Sequence, residues 1–103
     1  MSEIQQHEGR KVALVLMKSP EADATLEVVW VDSPELAVTD HGTYYVIEGL
    51  DEISIDLTRV SEELGETITM SQWLVTMSSY IGRVCPDDHD FRVTAEMLQL
   101  DAH

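Results

Sequence analysis

The side chains that could do chemistry in this chain of 103 residues are few and scattered. Its single cysteine, Cys85, stands beside Pro86 with Arg83 as the only nearby cation in sequence. That is too little positive charge to hold a thiolate at neutral pH, so Cys85 reads as a packed or edge thiol and not as a nucleophile. Of the 4 histidines, His7 and His103 lie near the ends, and His41 stands beside Asp40 in a turn without the clustered partners of a metal ligand or an acid–base residue. His89 belongs to the run Asp87-Asp88-His89-Asp90, where neighbouring carboxylates could gather oxygen ligands for calcium. The run lacks the alternating spacing, central glycine and terminal glutamate of an EF-hand, and reads as a solvated hairpin turn. There is no glycine-rich phosphate loop, no cysteine pair for zinc, and no Glu-x-x-His that would bring iron ligands onto one helical face. The inventory therefore offers no catalytic, cofactor-binding or metal-binding residue.

Charge is the stronger signal. Twenty Asp and Glu against 6 Lys and Arg leave a formal net charge of −14. Such a field repels phosphate backbones and anionic membrane surfaces, which excludes nucleic acid and membrane as partners and leaves either a soluble, self-repelling monomer or a protein that docks on a neutral or basic partner. The acids are unevenly spread: Glu48, Asp51, Glu52, Asp56, Glu62, Glu63 and Glu66 face one base, Arg59, over residues 48–66. A solvated face is one reading, and a field that steers docking is the other. A lone cysteine rules out an intramolecular disulfide, the acidic N-terminal residues do not suit a secretory signal, and the longest apolar run, Val12 to Met17, is too short to span a membrane. The expected location is the cytoplasm.

The elements that must position these residues can be placed by period and by punctuation. Residues 1–10 read as a tail, 11–94 as one domain, and 95–103 as a second tail or a frayed helical turn. Lys11 to Met17 is a strand buried on both faces and central in a sheet. Ser19-Pro20-Glu21 places an N-cap hydroxyl, a proline and an acid where a helix starts, and Ala22, Leu26, Val29 and Trp30 make its stripe. Asp32-Ser33-Pro34 ends it. Three extended pieces follow: Leu36 to Thr39, Tyr44 to Ile47, and the alternating Ile53, Ile55 and Leu57. The second and third are expected to form a hairpin turning near Gly49-Leu50-Asp51. Thr58 to Leu64 is a short helix closed by Gly65. Thr69-Met70-Ser71-Gln72 is a capping box, with Ile68 placed to staple onto Trp73. The helix it opens is expected to carry Met70, Trp73, Leu74, Met77, Tyr80 and Ile81 on one face and to end at Gly82. Arg83 to Cys85 and Phe91 to Thr94 make a final hairpin. The fold class is α+β, a single small domain with a mixed or antiparallel sheet packed with about three helices.

The ordered set from Asp32-Ser33-Pro34 to Phe91 resembles the small effector, or coupling, proteins of bacterial multicomponent diiron monooxygenases. These are the regulatory components of methane, phenol, toluene and alkene monooxygenases. Carrying the resemblance are Tyr44-Tyr45-Val46-Ile47-Glu48, Ile53-Ser54-Ile55-Asp56-Leu57, Val60-Ser61-Glu62-Glu63-Leu64-Gly65, the capped segment through Ile81-Gly82, and the acidic turn before Phe91. The resemblance implies a cofactor-free, non-catalytic protein, monomeric when free, whose partner is the diiron hydroxylase component. It would shift helices lining the hydroxylase active site so that oxygen activation, substrate entry and electron delivery are coupled. The short N-terminal region favours the phenol, toluene, alkene or propane-like branches over the methane branch. No catalytic residue is carried over. Residue type nominates Trp30, Tyr44 and Met70 as apolar partner contacts, and Asp51, Glu52 and Glu63 as steering acids.

Two other classes fit parts of the pattern. Helices on a sheet also suit a stand-alone small-molecule-binding regulatory domain. The charge alone would suit an acidic mimic of nucleic acid, although the acids are interleaved with ordinary core periodicity.

Overall fold

The computed structural model describes residues 10–95, so the expectations for the tails lie almost wholly outside the described residues. Strand β1 (Lys11–Met17) is the central element the sequence predicts. It lies between β3 (Tyr44–Leu50) and β5 (Met77–Ile81), with β2 (Ala37–Asp40) beyond β3, in an antiparallel sheet of order β2-β3-β1-β5. A second antiparallel sheet has the order β4-β7-β6, formed by β4 (Glu52–Asp56), β6 (Arg83–Pro86) and β7 (Asp90–Thr94). Helices α1 (Pro20–Asp32), α2 (Leu57–Leu64) and α3 (Met70–Leu74) complete an α+β domain.

Local signals set most boundaries. Ser19 Oγ accepts from the Ala22 N–H at 3.0 Å, Pro20 opens α1, and the Ser33 N–H closes it on the Val29 carbonyl. Ala22, Leu26 and Val29 face the core as expected, whereas Trp30 is 53% exposed and leaves the stripe. Helix α2 begins one residue early because Asp56 serves as its N-cap, accepting from the Thr58 and Arg59 N–H groups, and Gly65 closes it with φ of 88°. The capping box at Thr69 and Gln72 is present in both directions.

Three expectations are overturned by tertiary context. First, a single sheet is replaced by two, and β3 and β4 do not form a hairpin. Only Asp51 separates them, and one residue cannot reverse an antiparallel pair, so the chain turns a corner and β4 enters the second sheet beside β7. Asp51 takes a φ of 71° at this corner, its N–H donating to the Arg10 carbonyl and its own carbonyl accepting from Ala95. β3 instead forms its hairpin with β2, and the turn between them holds the Gly42 N–H on Asp40 Oδ1 at 2.8 Å. Second, the capped helix does not run to Ile81. It stops at Leu74, the Thr76 N–H folds back to the Trp73 carbonyl, and the Thr76 carbonyl accepts from Met17. An apolar central strand needs a neighbour on each edge, and Met77–Ile81 supplies the second one to β1. Third, β1 is not buried on both faces throughout: Val12, Leu14 and Leu16 are wholly buried, while Val15 is half-buried and Met17 is 44% exposed.

The core lies between the sheets and the helices. Trp73 is fully buried, tilted against Phe91 at 4.8 Å between ring centroids, and its indole N–H donates to Thr25 Oγ1 at 2.9 Å. That bond ties α3 to α1, and the Thr25 hydroxyl in turn donates to the Glu21 carbonyl at 2.7 Å. Burying about 20 apolar side chains from both sheets and all three helices makes the elements one cooperative unit.

Candidate partner-docking surface

Among the described residues no group of three or more His, Cys, Asp or Glu could hold a metal ion. No buried side-chain nitrogen or oxygen among them lacks a hydrogen-bond partner. Cys85 is half-buried on β6, and the turn from Asp87 to Asp90 is closed by its own backbone, the Asp87 N–H donating to the Asp90 carbonyl at 2.9 Å.

The three apolar nominees occupy three different features. Trp30 lies at the end of α1 beside Val31, which is 69% exposed. Tyr44 opens β3, half-buried, with its ring stacked on His41 at 4.9 Å. Met70 opens α3 and lines an open cleft of about 540 Å³ together with Leu57, Ile68 and His89. Tyr44 stands on a broader apolar face. By cross-strand register it shares the outer face of the four-stranded sheet with Met17, and through it with Val15, Val46, Leu50 and Ile81.

The acidic run from Glu48 to Glu66 does not form one field. Glu48 pairs with Lys11 at 3.2 Å, Glu52 faces Arg92 at 3.8 Å, Glu62 lies 3.9 Å from Arg59, and Asp56 caps α2. Asp51 holds the corner, its Oδ1 accepting from the Arg10 N–H at 3.1 Å. Glu63 instead lines a shallow groove between α1 and α2 with Asp23 and Glu27, and makes no ion pair within the described residues.

Other charged groups are committed to structure. Arg59 forks onto both carboxylate oxygens of Asp32, at 3.0 and 2.9 Å, joining α2 to the end of α1. This bond and its charge hold the Asp32 carboxyl below the usual range and the guanidinium above its own. The Lys18 ammonium, 2.8 Å from Asp40 Oδ1, and the Gly42 N–H hold the Asp40 carboxyl below its usual range. The Tyr45 hydroxyl donates to Asp23 Oδ1 at 2.7 Å, which pushes the phenol up to about 12 because losing the proton would set two anions side by side.

The exposed residues Met17, Leu50 and Ile81 were invisible as surface candidates. Ile81 carried a helical period, and the run through Met17 was continuous enough to read as core. No spacing in the sequence distinguishes the open face of a central strand from the covered one.

Comparison with known proteins gives this surface a context. Residues 10–94 match the MmoB/DmpM family, nearly the same span as the described residues. Methane monooxygenase regulatory protein B of Methylosinus trichosporium is 33% identical over 100 residues, covering 92% of this chain and 72% of that protein. The same component of Methylococcus capsulatus (Bath) is 33% identical over 101 residues, with the same coverage. Among solved structures, the soluble methane monooxygenase regulatory protein B superposes with a TM-score of 0.70 at 34% identity, over 92% of this chain and 72% of that one. A chain from a complex of phenol hydroxylase with its regulatory protein gives a TM-score of 0.74 at 21% identity, over 82% of this chain and 98% of that one, a likeness of fold. The chain belongs to the MmoB/DmpM family and ranks with the non-catalytic regulatory components of monooxygenases.

Proposed function

We propose that this protein docks on the diiron hydroxylase component of a multicomponent monooxygenase in the cytoplasm, and there couples oxygen activation, electron delivery and substrate hydroxylation or epoxidation. The observation that carries the proposal is the 33% identity to monooxygenase regulatory proteins over 92% of the chain. The surface is consistent with it, because apolar side chains stand in solvent on a strongly acidic molecule and offer what a protein partner would cover.

The mechanism is one of differential binding. An effector shifts a hydroxylase between conformations only by the ratio of its affinities for them, and moving a 1:99 population to 99:1 takes about a 10⁴-fold ratio. Trp30, Tyr44 and Met70 would supply apolar contact, and Asp51, Glu52 and Glu63 would act in the encounter. Of the acids, Glu63 is the freest to steer, since Asp51 and Glu52 already hold partners within the fold. No helix among the described residues is long and apolar enough to cross a membrane.

Reconstitution tests this. Adding the protein at stoichiometric ratio to its hydroxylase, reductase and NADH is expected to raise substrate turnover. Unchanged turnover would remove the proposal.

A further inference from the structure

An open cleft of about 540 Å³ lies where the first turns of α2 and α3 meet the turn between β6 and β7. Its apolar lining is Leu57 and Ile68, both buried, and half-buried Met70. Around them stand the hydroxyls of Thr58, Thr67 and Ser71 and the imidazole of His89, all exposed and none hydrogen-bonded among the described residues. Two further hydroxyls are already committed, Ser61 Oγ accepting from the Ile68 N–H at 3.0 Å and Thr69 Oγ1 serving the capping box. Asp88 is the one charged side chain in the lining, although 20 of the 103 residues of the chain are acidic. The walls are tied together: the Leu57 N–H donates to the His89 carbonyl at 2.7 Å, joining α2 to the β6–β7 turn, and the Ser61–Ile68 bond joins α2 to the segment before α3.

We propose that this cleft binds a small uncharged hydroxylated hydrocarbon, an alcohol or a phenol. The lining holds no Lys or Arg, so an anion would find no counter-charge on a molecule of net charge −14. A cation would find one exposed carboxylate, and such surface pairs are worth little. A bare hydrocarbon could cover Leu57, Ile68 and Met70, but it would take water from four polar side chains and return no hydrogen bond. A hydroxylated one does both, its apolar body on that lining and its hydroxyl among groups that can donate or accept. The volume suits such a ligand, since small-molecule sites run to about 300–1,000 Å³ and are largely formed before the ligand arrives. The site stands without the function proposed above. One link rests on that function: alcohols and phenols are what hydroxylation yields, and a product held here would cover Met70, one of the contacts proposed for the hydroxylase.

The test is an NMR titration of the full chain alone, labelled with ¹³C at the methionine methyls. Four probes share one ring and differ in one group: benzyl alcohol, toluene, benzoate and benzylammonium. Met70→Leu, a volume-conserving swap, identifies the Met70 signal by its loss. The site is supported if benzyl alcohol moves the Met70 methyl to saturation below about 50 mM while the methyls of Met17 and Met77, on β1 and β5, do not saturate. Benzyl alcohol should also bind at least as tightly as toluene, and more than about tenfold more tightly than benzoate or benzylammonium. Four results overturn the site. They are no saturation at Met70 by about 50 mM, saturation of Met17 and Met77 alongside it, tighter binding of toluene, which marks a purely apolar patch, and a charged probe within about tenfold of the alcohol. The hydroxylase takes no part in this titration, so each of these failures leaves the proposed function intact.

Discussion

The two corners that carry the chain from one sheet to the other make a quantitative test of how this fold is held. Gly82 links β5 to β6 with φ of 131°, and a methyl group there would meet Val93 Cγ1 at 2.7 Å and the Thr94 carbonyl oxygen at 2.8 Å. Thr94 pairs with Arg83 in the β6–β7 ladder, so its carbonyl cannot retreat without breaking strand pairing. Gly82→Ala therefore combines a disfavoured backbone region, at about 1–3 kcal/mol, with overpacking against backbone, at about 1–3 kcal/mol. A loss of about 3 kcal/mol corresponds to a fall in Tm of roughly 12–24 °C for a domain of this size. Gly65 separates the two contributions: its φ is 88° but no atom lies within 4 Å of the added methyl, so Gly65→Ala should lose only the conformational part, about 1 kcal/mol. Gly49 isolates packing, since it lacks a positive φ and the methyl would collide with Leu36 Cδ2, the movable end of a side chain. Urea unfolding followed by the fluorescence of buried Trp73 would rank the three. Gly82→Ala within about 0.5 kcal/mol of wild type, or less damaging than Gly65→Ala, would refute this account of the corner.

Three further outcomes are expected. Thr25→Val strands the buried Trp73 N–H and should cost about 1–3 kcal/mol in the wild-type chain but clearly less in a Trp73→Phe background; equal costs in a double-mutant cycle would deny the bond. Tyr45 should titrate near 12, and Asp23→Asn should bring it back toward 10, as read by tyrosinate absorbance against a Tyr45→Phe reference. Because the folded value is raised, the Tyr45–Asp23 bond stabilises fully below about pH 10, and its contribution disappears as pH climbs through 12. Glu63→Lys should slow association with the hydroxylase at low salt, with the difference from wild type vanishing at high salt; a salt-independent difference would assign Glu63 a direct contact instead of steering.

The signals that proved legible in the sequence were local ones. Ser19-Pro20, Asp32-Ser33-Pro34, Gly65 and the Thr69–Gln72 box act over a few residues, and each marks an element end in the structure. The alternation of Ile53, Ile55 and Leu57 correctly put all three in the core. What failed depended on partners distant in the chain. Met77–Ile81 carries a helical period but pairs with β1, because an open strand edge offers a ladder of hydrogen bonds that a short helical extension does not match. The hairpin near Gly49 failed on a count of one residue, since Asp51 alone separates strands whose ends were placed only approximately. The site was less legible than the fold. Residue type picks out Tyr44, but the face it belongs to is assembled from β1, β3 and β5, and the sequence of β5 has a helical period. The acid run looked like a field in one dimension, and in three its members cap a helix, hold a corner and pair with Lys11, Arg59 and Arg92.

The central claim is that this protein changes what a hydroxylase does with its electrons while contributing no chemistry of its own. The most direct measurement is product formed per NADH consumed as the protein is titrated into a fixed amount of hydroxylase and reductase. The ratio should rise and then level off at a fixed proportion of effector to hydroxylase. A ratio that stays flat across the titration, with the protein folded and present in excess, would contradict it.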